Sequence, residues 1–330
     1  MSIDVIARNY AIDLLRSIGI GCMILNHVGN TPLSHIISSF HMPLFFFVSG
    51  LFFTRNKPFD SFTKNKAKRI LIPYLSFAIF YYLIWLLIDT SHSPWYDPLK
   101  YLLWDNSVGA GNGMPYVGAL WFLTAFFIAN ITYFGISYIK NARLQLIAVI
   151  FTVLLGTAIP LVLSHRFPYT MDSALVGVGF LYCGHQLQNS IFYEKLSHLP
   201  ILMLAGLVAG LLFLISLNAP VNMRLGTYGN ILLFWINALG CIIIGINMCN
   251  RIANRKENFS LPISWIYIMG KDSLVFLCVN EFVIIALRHI IPVQNKIINY
   301  PLIFLLTILI CYVINWFIQH TKLRWFIGKF

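Results

Sequence analysis

Three ionisable side chains fall inside the first long apolar stretch of the chain: Asp13, Arg16 and His27. An ionisable group surrounded by hydrocarbon is costly, so each is a candidate for function by default. Arg16 and His27 are eleven residues apart. At about 100° per residue that closes three helical turns, so the two share one helix face, roughly 16 Å apart along the axis. Asp13 lies one turn before Arg16 and is spaced to orient it. A guanidinium suits anionic groups such as phosphate. An imidazole suits the removal of a proton from a hydroxyl near neutral pH. The bland alternatives are an Arg16 that reaches to lipid headgroups and a His27 that only bonds a neighbouring helix.

Further candidates follow along the chain. Phe40-His41-Met42-Pro43, continuing to Ser49-Gly50, places a second imidazole at the depth expected for His27. Arg69 closes a basic run and opens an apolar one, a position for phosphate contact. Trp121 opens another apolar stretch, where an aromatic can stack on a ring or belong to an interfacial belt. Asp172 begins a stretch and fits either a ligand contact or the first turn of a helix. Gly270-Lys271-Asp272-Ser273 lacks the earlier glycine of a phosphate loop, since Trp265 stands there. Lys271 and Ser273 remain candidates for contact with a phosphate, with an ion pair to Asp272 as the alternative for Lys271. Asn280 and Glu281 lie deeper, and a buried Glu281 needs a partner. His92 to Asp97 fits an H-x-x-x-x-D spacing found in glycerolipid acyltransferases, and with nine histidines in the chain we read it as chance. The six cysteines have no C-x-x-C spacing, so neither a metal centre nor a disulfide framework is expected.

The elements that carry these residues follow from composition. Of 330 residues, 58% are hydrophobic and 10% charged, whereas a soluble domain carries about 25% charged residues. The chain therefore reads as an all-α integral membrane protein. It is one polytopic domain over residues 1–330, with about ten transmembrane helices near 11–29, 35–53, 70–90, 116–138, 145–163, 170–188, 199–217, 227–249, 263–287 and 301–318. The ninth is long and polar enough to be kinked or broken. The N-terminus lacks the basic segment and small-residue site of a cleaved signal, so the first stretch is expected to stay. Sixteen of the 23 Lys and Arg fall on one side of this threading: Arg8, the basic residues of 55–69, Lys140 and Arg143, Lys195, those of 251–256 and those of 322–329. Lys100, Arg166, Arg224, Arg288 and Lys296 fall on the other. The positive-inside rule then sets both termini in the cytoplasm. It also assigns the net charge of +12 to loops facing anionic membrane lipids rather than to nucleic acid. The longest outer loop, about 90–115, ends in a glycine-rich segment, residues 105–115, of a kind that can be mobile or can re-enter the membrane where protein or water covers its backbone. Gly206-x-x-x-Gly210 is expected to serve helix packing.

Taken in order, these segments resemble the acyltransferase-3 family of bacterial membrane acyltransferases, especially sugar O-acetylases of the fucose 4-O-acetylase-like kind. The resemblance covers nearly the whole chain. It rests on Asp13-Leu14-Leu15-Arg16 with His27, and on Phe40-His41-Met42-Pro43-Leu44-Phe45-Phe46-Phe47-Val48-Ser49-Gly50. It rests also on Arg69-Ile70-Leu71-Ile72-Pro73, Leu120-Trp121-Phe122-Leu123 and Gly270-Lys271-Asp272-Ser273-Leu274. In one place the chain departs: many members have a His shortly after the last segment, where this chain has Asn280. The resemblance implies acetyl-CoA or another acyl-CoA as donor substrate, with no permanently bound cofactor and no metal. It implies a sugar hydroxyl of an envelope polysaccharide, or of its lipid-linked precursor, as acceptor, and a bacterial inner membrane as location. His27 is then expected to act as base or acyl carrier, with His41 and Glu281 beside the chemistry. Arg16 (oriented by Asp13), Arg69, Lys271 and Ser273 are expected to face the acyl-CoA, and Trp121, Asp172 and Asn280 the acceptor. A glycan or small-molecule transporter, or an inactive acyltransferase-like scaffold, is the alternative.

Overall fold

The computed structural model describes residues 3–88, 94–103, 116, 118–163, 167–188, 190–254, 261–292 and 295–329. The His92-Ser93 pair and the glycine-rich segment 105–115 lie outside the described residues. Thirteen α-helices are present among the described residues: α1 (Ile3–Val28), α2 (Ser34–Leu51), α3 (Phe59–Ile88), α4 (Asp97–Leu103), α5 (Trp121–Ile136), α6 (Ala142–Val162), α7 (Met171–Gln188), α8 (Ile191–Ser197), α9 (Ile201–Leu217), α10 (Ile231–Asn254), α11 (Leu261–Lys271), α12 (Ser273–Ile290) and α13 (Lys296–His320). The described residues contain no strand, only one bridge between Asn222 and Thr227.

Eight of the described helical segments, beginning at Tyr10, Ser34, Phe59, Gly118, Ala142, Ile231, Ser273 and Lys296, are long and apolar enough to cross a bilayer. Two more of the expected stretches are also helical. α9 is apolar but has 17 residues, and α7 has the length but carries Asp172, His185, Gln186 and Gln188. Large apolar side chains such as Leu87, Leu161, Leu202 and Ile297 lie more than three-quarters exposed, which a bilayer accommodates and water does not. The chain is an all-α integral membrane protein. The expected break in the ninth stretch falls at Asp272, a single turn residue between α11 and α12.

The chain forms two compact units. The first comprises Met1–Phe52, Cys183–Met223 and Thr227–Ser273; the second comprises Phe53–Tyr182, Arg224–Gly226 and Leu274–Phe330. In the first unit α1 packs on α2, α10 and α11, and α10 also on α2 and α9. Glycines set the closest approaches. A Cβ at Gly19 would lie 3.0 Å from the Phe45 ring, and one at Gly184 would strike the Phe47 carbonyl. Gly206 and Gly210 behave differently from expectation: a Cβ on either would meet nothing within 4 Å. Among the described residues nothing packs against these two glycines, so their spacing serves no close helix contact within the described chain.

In the second unit α3 packs on α5, and the final turn Lys322–Ile327 packs on α3. Phe326 meets Phe77 and Phe80 edge-on at 5.8 and 6.4 Å. Gly328, at φ +69°, lies against the Lys68 carbonyl. Lys66 Nζ donates to Asn130 Oδ1 at 2.7 Å, and Arg55 Nη1 donates to the Ser137 carbonyl at 2.6 Å. The basic residues of 55–69 and of 322–329 therefore gather at the end of this unit where α5 finishes. Trp121 marks the opposite end of α5.

Candidate functional site

In the first unit, α1 carries its polar residues as a ladder. Near the lower end Arg16 Nη1 donates to Asp13 Oδ1 at 2.9 Å, as the three-residue spacing demands. The guanidinium carbon lies 5.2 Å from the centre of the Phe52 ring. A carboxylate on one side and a π-face on the other hold the group in one orientation. It remains 29% exposed and so accessible.

α11 is bolted onto this stretch. Ser17 Oγ lies 2.9 Å from the Asp13 carbonyl and also bonds the Ile266 carbonyl. The Tyr267 hydroxyl hydrogen-bonds Asp13, and the rings of Tyr10 and Tyr267 stand 4.8 Å apart. Gly270 sits against the Asp13 carbonyl so closely that a Cβ there would overlap it. This contact gives Gly270 its reason, which is helix packing and not phosphate cradling. Lys271, the next residue, is exposed at the end of α11. The same contact brings it to the Asp13–Arg16 end of α1. Ser273 is half-buried at the start of α12.

At the far end of α1, His27 lies in the last turn, half-buried. His41 of α2 is buried, with Nδ1 at 2.7 Å from the Ile37 carbonyl. A carbonyl can only accept, so Nδ1 carries the proton, and in the neutral ring Nε2 is the acceptor. The structure thus brings together Asp13 and Arg16 near one end of α1; His27 lies near the other end, and His41 is on α2 of the same unit.

The remaining candidates belong to the second unit. Trp121 is 4% exposed; it is a buried anchor rather than a belt residue. Its carbonyl accepts from Thr124 Oγ1 at 2.9 Å and from Thr170 Oγ1 at 3.3 Å. Asp172 is fully buried. The backbone of Gly226, at φ +68°, approaches it so that a Cβ would lie 3.1 Å from Asp172 Oδ2. Glu281 Oε2 accepts the Ala119 N–H at 2.9 Å, just before α5 begins. Asn280 turns both bonds of its amide nitrogen onto its own helix, to the Phe276 and Leu277 carbonyls at 2.9 and 2.8 Å. Arg69 is exposed beside the Lys68–Gly328 contact, at the opposite end of this unit from Trp121.

Three residues near these groups escape a reading of the sequence. Phe52 and Tyr267 hold the Asp13–Arg16 pair, and only folding brings residue 267 to residue 13. Arg224 lies against Gly118, where a Cβ would come 2.8 Å from its Cζ. In the sequence Arg224 is one loop charge among many. Among the described residues no group of three or more His, Cys, Asp or Glu is placed to hold a metal ion, and all six cysteines are free thiols.

A multi-pass helical membrane protein, with an ion pair near one end of its first helix and an imidazole near the other, defines a class suited to chemistry at a membrane. Residues 9–316 match the family model for the acyltransferase-3 family, described as an acyltransferase domain. The chain belongs to that family and is a membrane acyltransferase. No curated protein and no solved structure matches it.

Proposed function

We propose that the chain transfers an acyl group, acetyl in the first instance, from cytosolic acyl-CoA to a sugar hydroxyl of a cell-envelope polysaccharide or its lipid-linked precursor. The protein would sit in a bacterial inner membrane with both termini in the cytoplasm, as the distribution of basic residues suggests. One observation carries the reading: α1 presents an anchored, accessible guanidinium near one end and the His27 imidazole near the other. Roughly 16 Å separates them by helical rise, a length suited to an extended thioester arm.

In this scheme Arg16 binds the phosphates of the acyl-CoA, with Lys271 and Ser273 of the same unit as further contacts; Arg69, in the second unit, is a separate candidate for phosphate contact. Asp13 positions Arg16. His27 removes the proton of the acceptor hydroxyl as its oxygen attacks the thioester carbonyl. The C–S bond breaks, the new C–O bond remains, and the proton held by His27 returns to the departing thiolate. His41, on α2, would supply a second proton-accepting nitrogen, its Nε2. The tetrahedral intermediate carries an oxyanion that needs a donor, a role open to the imidazolium formed on His27.

The test uses the purified full chain in nanodiscs with radiolabelled acetyl-CoA and an envelope-glycan extract. Label should pass into glycan with wild type and be lost with His27→Ala and Arg16→Ala. Full transfer by His27→Ala would remove the base assignment. Intact thioester throughout, with no CoA binding, would turn the reading to transport or scaffolding.

A further inference from the structure

We infer that the start of α3 and the final turn Lys322–Ile327 together form a binding site for the headgroup of an anionic phospholipid, whose chains lie along the exposed face of α3. The distribution of basic residues along the sequence brings loops near anionic lipid and no more. The fold goes further, because it sets cations from two segments remote in sequence beside one another. The inference does not rest on the acyl-transfer reading.

The final turn is seated by its backbone. Gly328 lies against the Lys68 carbonyl, and a Cβ there would stand 3.3 Å from the Arg69 Cα. The Lys329 N–H donates to the Arg324 carbonyl at 3.1 Å, so Arg324 stays within one turn of that contact. These contacts bring the turn carrying Lys322, Arg324 and Lys329 onto the stretch of α3 that carries Lys68 and Arg69, and all five side chains are exposed. No aspartate or glutamate occurs in residues 61–88 or 282–330. Asp60 stands nine residues before Arg69, about 13 Å along the helix. Like charges held together repel. In the first unit comparable groups are matched: Arg16 by Asp13, and Arg251 by Asn247 Oδ1 at 2.7 Å and by the Leu199 carbonyl. Among the described residues the side chains of Arg69, Lys322 and Arg324 have no such hydrogen bond or ion pair. A phosphate, which accepts from several donors at once, is the matching partner.

The partner is a lipid rather than free phosphate because the same helix turns apolar beyond its cations. Leu75, Ile79, Leu83 and Leu86 recur at three- and four-residue steps, which places them on one face of α3, and they are 43–52% exposed. Followed back toward the helix start, that stripe meets Lys68 and Lys64, both exposed. Trp325 of the final turn is 46% exposed, in the chain position next to Arg324, and an indole favours the boundary between hydrocarbon and water. Cations, then an indole, then an open aliphatic stripe match the groups of a phospholipid in order: phosphate, glycerol ester, chains. A zwitterionic headgroup brings its own cation into a cluster that is already positive, so charge selects a lipid with net negative charge.

The test is native mass spectrometry of the purified full chain, titrated with phosphatidylglycerol or with phosphatidylcholine of the same chains. Each Lys or Arg near an anionic lipid surface is worth about fivefold in binding. Phosphatidylglycerol should therefore bind about tenfold or more tighter than phosphatidylcholine. Arg69→Gln combined with Arg324→Gln should weaken phosphatidylglycerol by about 25-fold. Lys322→Gln alone should weaken it by about fivefold, and it carries the test if the double variant does not fold. Lys140→Gln combined with Arg143→Gln removes the same charge from another basic loop of the same unit and should change binding by less than about twofold, because screening confines each charge to its neighbourhood. Equal binding of the two lipids, or unchanged binding by the folded variants, would overturn the inference. An equal loss in the Lys140–Arg143 variant would also overturn it, leaving a general attraction of the basic surface. Displacement of bound phosphatidylglycerol by coenzyme A at equal concentration would assign the cluster to a soluble phosphate and overturn it too. No acyl transfer enters the measurement, so its failure is separate from failure of the acyl-transfer reading.

Discussion

The two units place their polar groups by opposite means. In the first, α1 carries Asp13, Arg16 and His27 in fixed order, and its neighbours merely hold them. Asp13 and Arg16 pair because they are three residues apart on one helix. In the second, Glu281 meets Ala119 across 162 residues, and Arg224 meets Gly118 from a different loop. A ladder on one helix tolerates changes in its surroundings, since rise and twist fix its spacing. A cluster drawn from several segments exists only while all of them pack. Mutations should therefore act on chemistry in the first unit and on assembly in the second.

The largest expected effect is catalytic. His27→Ala should lower transfer by about 10²- to 10⁴-fold, the usual contribution of a positioned base, with the thermal midpoint of the purified protein little changed. A fall in midpoint parallel to the loss of activity would mean that His27 is structural and that the contrast between the units fails. Next, Arg16→Ala should raise the acyl-CoA concentration for half-maximal turnover by about tenfold or more, the scale of a charge-assisted contact. Arg16→Lys should recover part of it, because the charge persists while the fork is lost. A kcat effect at constant KM would move Arg16 from binding to chemistry.

Stability tests sharpen the comparison further. Gly270→Ala and Gly184→Ala should each destabilise by about 1–3 kcal/mol, since the new methyl group must displace backbone rather than a flexible side chain. Gly206→Ala should stay within about 0.5 kcal/mol or stabilise slightly, because nothing lies within 4 Å and alanine is the better helix former. Chemical denaturation or melting curves read both. A costly Gly206→Ala would show that the α9 glycines serve a contact with a second chain. Glu281 gives a matching test in the second unit: Glu281→Gln keeps an oxygen for the Ala119 N–H and should cost less than Glu281→Ala by about 1–3 kcal/mol.

Helix content and the positions of most spans were legible, because hydrocarbon solvent leaves the backbone no partners but its own and each span must declare itself in apolar residues. The break at Asp272 was legible for the same reason: a stretch with Lys271, Asp272, Asn280 and Glu281 is too polar to run unbroken. The α1 ladder was legible from spacing alone. The packing of small residues was not. Gly206-x-x-x-Gly210 has the motif and no neighbour, while Gly270 has no motif and the tightest contact, because spacing says which face a glycine lies on and nothing about what approaches it.

The sequence by itself determined the class of solvent, the helices and the order of groups along α1, since these depend on local composition and on a fixed rise per residue. Tertiary structure alone decided that Tyr267 and Phe52 would hold the Asp13–Arg16 pair, that Trp121 would be buried rather than offered, and that Arg224 would leave the company of loop charges to stand beside Gly118. Those outcomes depend on which surfaces from separate segments fit one another, and packing between segments remote in sequence has no signature in either segment taken alone.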